Sequence, residues 1–132
     1  MPLRTFTPEQ ANAALAGVRP LVERLVGYRA DQLAVEARGA ELAAHVGGNG
    51  GGLDPAAPAA LVAAGEAAEE GLRETLERLD ELGVVAKDLD AGLVDFPSER
   101  DGRTVLLCWQ LGEDSVAWWH DLDSGFAGRQ PL

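Results

Sequence analysis

The chain has 132 residues, 46% of them apolar and only 5% aromatic, and a formal net charge of −11. This length fits a single domain over residues 1–132, and a core of alanine, leucine and valine favours helices over an all-β sandwich. The acidic charge repels phosphate backbones and anionic lipids, and no run approaches the roughly 20 apolar residues of a membrane helix, so neither nucleic acid nor a membrane is an expected partner.

The first predicted element is a long amphipathic helix. Thr7 and Gln10 fit a capping box, and Pro8 suits the first helical turn. Apolar residues then recur at three- and four-residue spacing to about Val46, which predicts one packing seam. Its members are Ala14, Val18, Leu21, Leu25, Tyr28, Val35, Leu42 and Val46, widened by Leu15, Val22, Val26 and Leu33. Pro20 interrupts the pattern, so we expect a kink there or a short separate helix before the main one.

The second predicted element is a helix antiparallel to the first. The glycine-rich run 47–52 predicts a flexible loop, and Pro55 or Pro58 can open a helix that ends near Gly83. Together the two helices form a hairpin over residues 7–83. Two helices share only one seam, which leaves much apolar surface uncovered. Either the C-terminal segment or a second copy of the chain must cover this surface, and we expect a homodimer formed through the helical hairpin.

The last third of the chain predicts β-strands. Residues 92–96 predict a first strand, which Pro97 stops. A turn at Asp101 and Gly102 precedes a longer strand at 103–110. A loop at 111–115 then leads to a third strand at 116–120. Residues 105–109 are apolar on both faces, which indicates the central strand. The predicted fold class is α+β, mainly α: a long antiparallel helical hairpin followed by a small three-stranded antiparallel β meander at 92–132.

Glu113, His120 and Asp121 form the candidate metal site of this C-terminal region. Asp95 or Cys108 can add a further ligand from a neighbouring strand. Histidine with carboxylates suits a divalent ion such as zinc, manganese or iron. No H-x-x-x-H, C-x-x-C or H-E-x-x-H spacing accompanies these residues. The alternative is that His120 is a structural histidine. Its ring would pack on Trp118, and one of its nitrogens would hydrogen-bond a carboxylate or a carbonyl.

Cys108 has two interpretations. It lies inside an apolar strand, where burial raises the pKa of a thiol and makes the sulfur inert, as in a structural cysteine. The other interpretation is a nucleophile, which requires His120 within hydrogen-bond distance of the thiol. This second hypothesis fails if the two side chains lie on opposite faces of the sheet.

Arg103, Trp118 and Arg129 are the candidate ligand-binding residues. Arginine can hold a carboxylate or phosphate with two parallel hydrogen bonds, so Arg103 and Arg129 are candidates for an anion subsite beside His120. In the alternative, Phe126 fills a pocket, Arg129 pairs with an aspartate, and the segment only closes the chain. The glycines around Phe126 permit tight turns, but the lysine and following helix of a phosphate-binding P-loop are missing from the sequence.

Four pieces of sequence occur together in the last third: KDLDAGLVDFP, LCWQLGE, WWHDLDSGFAGR and the closing PL. In this combination the run from Lys87 to Leu132 resembles a small bacterial family, the domain-of-unknown-function family 2203. The resemblance implies a helical hairpin with a small C-terminal β element, and it implies no activity. The positions that form the pattern are Asp95, Cys108, Trp109, Gly112, Glu113, Trp119, His120, Gly125 and Arg129.

Three functions are compatible with these residues. The first is a binding module that presents Glu113, His120 and Arg129 to a divalent metal or a small ligand. The second is a homo-oligomeric interaction or scaffold protein with a purely structural C-terminal segment. The third is a small hydrolase or lyase with Glu113 or His120 as general base, and no catalytic signature decides whether the protein is an enzyme. The single cysteine and the lack of an apolar signal sequence in MPLRTFTPEQ predict a cytoplasmic location.

Overall fold

Two helices followed by an antiparallel sheet make up the fold, in a computed structural model that describes residues 4–46 and 54–132. The helices are α1 (Pro8–Val46) and α2 (Ala57–Leu82). The strands are β1 (Val85–Asp88), β2 (Leu93–Arg100), β3 (Arg103–Gln110), β4 (Trp118–His120) and β5 (Gln130–Pro131), with a 3-10 turn at Phe126–Gly128. Within the described ranges, neither helix is long and apolar enough to cross a lipid bilayer. The predicted glycine loop at 47–52 lies outside the described residues.

Helix α1 begins at the predicted capping box. The Gln10 backbone N–H donates to Thr7 Oγ1 at 3.1 Å, and the Thr7 N–H donates to Gln10 Oε1 at 2.9 Å. Two backbone donors that the helix leaves unpaired are thereby satisfied. The helix then runs for 39 residues through Pro20 without interruption, so no separate lead-in helix forms.

Helix α2 ends where the sequence predicts and packs antiparallel to α1. Gly83 caps it in the left-handed conformation at φ 82°, which costs a residue without a Cβ little. Gly71 lies against the Tyr28 ring, while Gly65, nearer the start of α2, lies against Val35, farther along α1. This opposite order along the two helices establishes the predicted hairpin.

The hydrophobic core lies between the sheet and the adjoining half of the hairpin. Its α1 residues come from the first half of the helix and include Val18, Val22 and Leu25, whereas Leu42 is the one buried apolar residue among the described side chains in the second half of α1. Leu33, which the sequence pattern places on the seam of α1, is 43% exposed, and Val62 of α2 is 60% exposed. The far half of the hairpin therefore has little core of its own.

Strand β2 corrects the prediction that Pro97 stops a strand. The strand continues through Pro97, which pairs with Leu106 on β3, and ends at Arg100. The Pro97 carbonyl accepts the Phe6 N–H at 2.7 Å, so the proline's backbone groups point away from β3. Because its ring nitrogen faces the side without a strand neighbour, the missing N–H costs the sheet no hydrogen bond.

The sheet has five strands in sequential order, not the three predicted. The two additional strands, β1 and β5, are edge strands of four and two residues, too short to leave a clear alternation pattern. Strand β3 has the predicted bounds and lies in the centre. Strand β4 begins at Trp118 and not at Val116, because the Asn12 side chain hydrogen-bonds both the N–H and the carbonyl of Val116.

The register of the sheet decides which side chains share a face. Asp95 on β2 pairs with Cys108 on β3, which pairs with Trp118 on β4. Because side chains alternate along each strand, these three and His120 lie on the outer face, away from the helices. The inner face contributes Val94, Phe96, Val105, Leu107, Trp109 and Trp119 to the core. The outer face therefore carries the polar groups that packing on the helices does not explain.

Candidate functional site

Asp95, Cys108 and His120 meet on the outer face of the sheet and are called here the Asp–Cys–His cluster. Each offers one ligand atom, a carboxylate oxygen, the thiol sulfur and an imidazole nitrogen, and these atoms lie within 4.8 Å of one another. All three residues are buried, at 3% exposure or less. Three chemically different donor groups thus converge inside a protein whose other acidic groups are mostly at the surface.

The cluster follows from three neighbouring strands. Adjacent strands lie about 4.8 Å apart, so β2 and β4 are separated by roughly 10 Å across β3. His120 Nε2 nonetheless lies 3.2 Å from Asp95 Oδ1, which means that the two side chains reach toward each other over the central strand. Cys108 is the β3 residue paired with Asp95, and its small side chain leaves room for this approach.

The imidazole of His120 is fixed by both of its nitrogens. Nδ1 donates to the backbone carbonyl of Asp121 at 2.7 Å, and Nε2 faces the Asp95 carboxylate. A carbonyl oxygen can only accept, so the hydrogen bond at Nδ1 determines that this nitrogen carries the proton. Nε2 is therefore the nitrogen available to a ligand or to a second proton.

Cys108 is an inert thiol in this environment. Burial, followed by the nearby Asp95 carboxylate, raises the pKa of Cys108 to about 12, although the Arg129 charge opposes the rise. His120 lies on the same face, as the nucleophile hypothesis requires. Its Nε2, however, faces Asp95, and no hydrogen bond joins thiol and imidazole in the described structure. A neutral, enclosed thiol lacks the features of a nucleophile.

Glu113 and Arg129 form a second polar cluster beside the first. Arg129 Nη2 donates to Glu113 Oε1 and Oε2 at 2.7 and 2.9 Å, and also to the Cys108 carbonyl at 3.4 Å. The guanidinium lies between the rings of Trp118 and Phe126, 5.0 and 4.6 Å from their centroids. Such stacking over aromatic faces is favourable for arginine. The pair joins the end of the chain to the β3–β4 connection.

The residues predicted as one metal site occupy three environments. His120 belongs to the Asp–Cys–His cluster, Glu113 pairs with Arg129, and Asp121 pairs with Arg103 at 2.9 Å between Oδ1 and Nη1. The structure therefore does not bring the Glu113 and Asp121 carboxylates to His120.

The predicted ligand-binding residues are likewise separated. Arg103 is exposed and bound to Asp121, whereas Arg129 is mostly buried and stacked on the half-buried Trp118. The partner of Arg129 is a glutamate, not the expected aspartate, and Phe126 is exposed and does not fill a pocket. Arg103 and Arg129 thus each pair with a different carboxylate.

Sequence reasoning missed the importance of two residues. It gives Asp95 only as an alternative further ligand, but in the structure Asp95 is the partner of His120. The available signal was its position in an apolar strand, because a buried carboxylate needs a partner. Asn12, whose amide holds Val116 from helix α1, gave no signal in the sequence, since it looks like any exposed polar residue of a helix.

Five cavities of the described surface lie away from the cluster. They measure about 400 to 550 Å³ and are lined by residues of the helices, by the stretch near Arg4, or by the surface around Arg103. None of these five is lined by Asp95, Cys108 or His120. The burial of all three residues shows that the cluster is enclosed by protein, which fits a bound ion better than an organic substrate.

The chain belongs to a family described as Uncharacterized conserved protein (DUF2203), whose family model matches residues 4–132. This match includes the helical hairpin as well as the C-terminal third. No curated protein and no solved structure matches the chain significantly.

Proposed function

Starting from membership of this uncharacterised family, we propose that the protein binds one divalent transition-metal ion, zinc above all, through Asp95, Cys108 and His120. The observation that carries the proposal is the 3.2 Å contact between His120 Nε2 and Asp95 Oδ1, two buried atoms that face each other. With His120 protonated at Nδ1, a neutral imidazole presents a lone pair to a carboxylate oxygen. Because two acceptors repel each other, a proton or a cation has to lie between them.

The geometry of the pair suits an ion. Zinc bonds of 2.0–2.1 Å to nitrogen and oxygen in a tetrahedral arrangement place the two ligand atoms about 3.3 Å apart, close to the separation found here. A zinc–sulfur bond of about 2.3 Å requires the Cys108 sulfur to lie roughly 3.6 Å from the other two ligand atoms. All three atoms already lie within 4.8 Å of one another, so at most a movement of about an ångström completes the set.

The donor set selects among metals. Calcium and magnesium prefer oxygen ligands, whereas a cysteine sulfur, an imidazole and a carboxylate suit a borderline ion such as zinc. The metal ion would displace the proton of the neutral Cys108 thiol, which is released to solvent on binding. The Nδ1–H bond from His120 to the Asp121 carbonyl is the outer contact that usually orients a metal-binding histidine. The cytoplasmic location expected from the sequence would also keep Cys108 in the reduced form that binds metal.

The competing explanation is a purely structural ion pair, with a proton on Nε2 in place of the metal. Metal analysis of protein purified from metal-supplemented cultures separates the two. We expect one zinc per chain in the native protein and a loss of zinc in Asp95→Asn, Cys108→Ser and His120→Gln. Cobalt substitution should give a thiolate charge-transfer absorption that Cys108→Ser removes.

Glu113→Gln and Asp121→Asn are the matched controls, since each changes a nearby carboxylate that belongs to the metal site predicted from the sequence. We expect both to retain zinc. If these controls lose zinc while Asp95→Asn retains it, the metal ligands are those predicted from the sequence, Glu113, His120 and Asp121. Native protein without stoichiometric metal would leave the ion pair as the explanation of the cluster.

We also propose that the chain forms a homodimer through the far half of the helical hairpin. The supporting observation is the exposed apolar surface there, with Leu33 and Val62 only partly covered. Sedimentation equilibrium should give twice the mass of one chain for the native protein and half that value for Val62→Glu. Ala63→Glu, a change at the adjacent exposed position outside the cavities that flank the seam, should remain dimeric. A native monomer at high concentration would contradict this proposal.

A further inference from the structure

We propose that the C-terminal segment, residues 121–132, is a movable cover over the Asp–Cys–His cluster, held closed by the Arg129–Glu113 ion pair. Opening of this segment would set the rate at which a metal ion enters and leaves. The inference rests on the proposed metal site and assigns the regulation of that site.

The segment is hydrogen-bonded to two of the three cluster residues, one near each of its ends. At its start, the Asp121 carbonyl accepts from His120 Nδ1 at 2.7 Å. Near its end, Arg129 Nη2 donates to the Cys108 carbonyl at 3.4 Å. Because the cluster itself is buried, an ion reaches it only when a covering element moves aside. Because residues 121–132 contact both His120 and Cys108, this segment is the element whose movement would give an ion access to the cluster.

Apart from these contacts, the segment is attached through the partly exposed Arg103–Asp121 ion pair and through its last residues, where β5 pairs with β4 and the Leu132 N–H donates to the Ala117 carbonyl at 2.9 Å. None of its residues belongs to the hydrophobic core, and its apolar side chains Leu122, Phe126 and Leu132 are exposed. Its strand, β5, contributes two residues at the edge of the sheet. Elements with little buried apolar surface open at a lower free energy than the rest of a protein. The segment is therefore expected to open while β2, β3 and β4 stay folded.

Arg129 provides the strongest attachment. Its hydrogen bonds to both Glu113 oxygens are charge-assisted, and the two side chains are only 13% and 27% exposed, so solvent screens them less than a surface pair. Glu113 is itself fixed, because its Oε1 accepts the Gln110 N–H at 2.7 Å. The ion pair thus joins the movable segment to the end of the central strand.

The first test measures access to Cys108 in the full-length, metal-free chain. Cys108 is the single cysteine, so the rate of its reaction with a thiol reagent such as DTNB reports only on this site. Glu113→Gln keeps an oxygen for the Gln110 N–H but loses the charge, and Arg129→Gln replaces the charged guanidinium with a shorter neutral amide. We expect each to accelerate the reaction roughly tenfold or more.

Arg73→Gln is the control, because Arg73 pairs with Glu70 and Glu77 on the exposed face of α2, far along the chain from the cluster. It should react at the native rate. Equal rates in native protein, Glu113→Gln and Arg129→Gln would overturn the proposal, provided that circular dichroism shows each variant folded. Glu113→Gln is the decisive variant if Arg129→Gln fails to fold.

The second test follows zinc release from loaded protein into excess chelator. Removing the attachment should raise the rates of uptake and release together, so release accelerates about as much as the thiol reaction while equilibrium affinity changes much less. Lower affinity with an unchanged uptake rate would overturn the proposal, since it would make Arg129 part of the binding site itself. If native protein binds no zinc, the metal function fails, and the thiol reaction alone still decides whether the segment covers Cys108.

Discussion

At the scale of single residues, the Asp95–His120 pair is the least ordinary feature of the molecule. Both side chains are almost fully enclosed, and each is the other's polar partner at 3.2 Å. Removing Asp95 leaves His120 Nε2 without a partner in a dry environment, although Nδ1 keeps the Asp121 carbonyl, and this costs far more than losing a surface ion pair.

Asp95→Ala should therefore lower the free energy of unfolding by about 3 kcal/mol. Urea denaturation in the presence of EDTA measures this change without a contribution from bound metal. Asp123→Ala removes an exposed carboxylate from the same region and should change stability by less than about 0.5 kcal/mol. Equal effects of the two substitutions would mean that the buried pair contributes no net stability.

The sequence predicts part of this site. His120 is a candidate ligand on its residue type and position, because a histidine in a strand stands out in so acidic a chain, and Asp95 or Cys108 is an alternative for one further ligand. The sequence could not show that both Asp95 and Cys108 meet His120, since the pairing of Asp95 with Cys108 depends on strand register, which no local pattern determines. Glu113 and Asp121 lie close to His120 in the sequence, whereas Asp95 lies far from it. Sequence distance therefore favoured Glu113 and Asp121 as the carboxylate ligands.

At the scale of elements, local rules account for most boundaries. The capping box starts α1, Gly83 ends α2, and the turn between β2 and β3 has positive φ at both Asp101 and Gly102, 52° and 77°, as a two-residue hairpin requires. The predicted boundaries are wrong where a residue distant in sequence hydrogen-bonds the backbone. The Asn12 side chain bonds the backbone of Val116, so β4 begins only at Trp118. The Phe6 N–H donates to the Pro97 carbonyl, and β2 continues through that proline.

Glycines inside the helices give opposite expectations. A methyl group at Gly71 would overlap the Tyr28 ring, whereas one at Gly17 would meet nothing within 4 Å. Gly17→Ala should therefore stabilise the protein by up to about 1 kcal/mol through helix propensity, and Gly71→Ala should destabilise it because the two helices must separate. Thermal unfolding of both variants tests the packing. A stabilising Gly71→Ala would contradict the close approach of α1 and α2.

At the scale of the whole molecule, the hydrophobic core is distributed unevenly between the two ends of the hairpin. The sheet and the adjoining half of the hairpin contain the core, and the far half extends beyond it with one seam and partly covered apolar residues. Helix α1 alone is about 58 Å long at 1.5 Å per residue. The free energy of unfolding is therefore expected to depend mainly on residues near the sheet, including the enclosed thiol.

The stability of the molecule should fall in alkaline solution because of Cys108. Its thiol has an ordinary pKa of 9.0, and burial raises that pKa to about 12 in the folded state. Above pH 9 the unfolded chain releases a proton that the folded chain retains, so this contribution is complete below about pH 9 and is lost as the pH rises toward 12. Urea midpoints between pH 7.5 and 10.5, measured with EDTA, should fall more steeply for native protein than for Cys108→Ala. Parallel profiles would contradict the raised pKa.

The sequence by itself determined the helical hairpin, the central strand and the segment in which the polar residues gather, because capping, turn chemistry and hydrophobic periodicity act over a few neighbouring residues. Only the tertiary structure decided which polar groups meet. Asp95, Cys108 and His120 come from three strands, and Glu113 reaches Arg129 across a folded-back chain end. Strand register and the path of the last residues set these contacts, and both depend on interactions between parts of the chain that no short stretch of sequence contains.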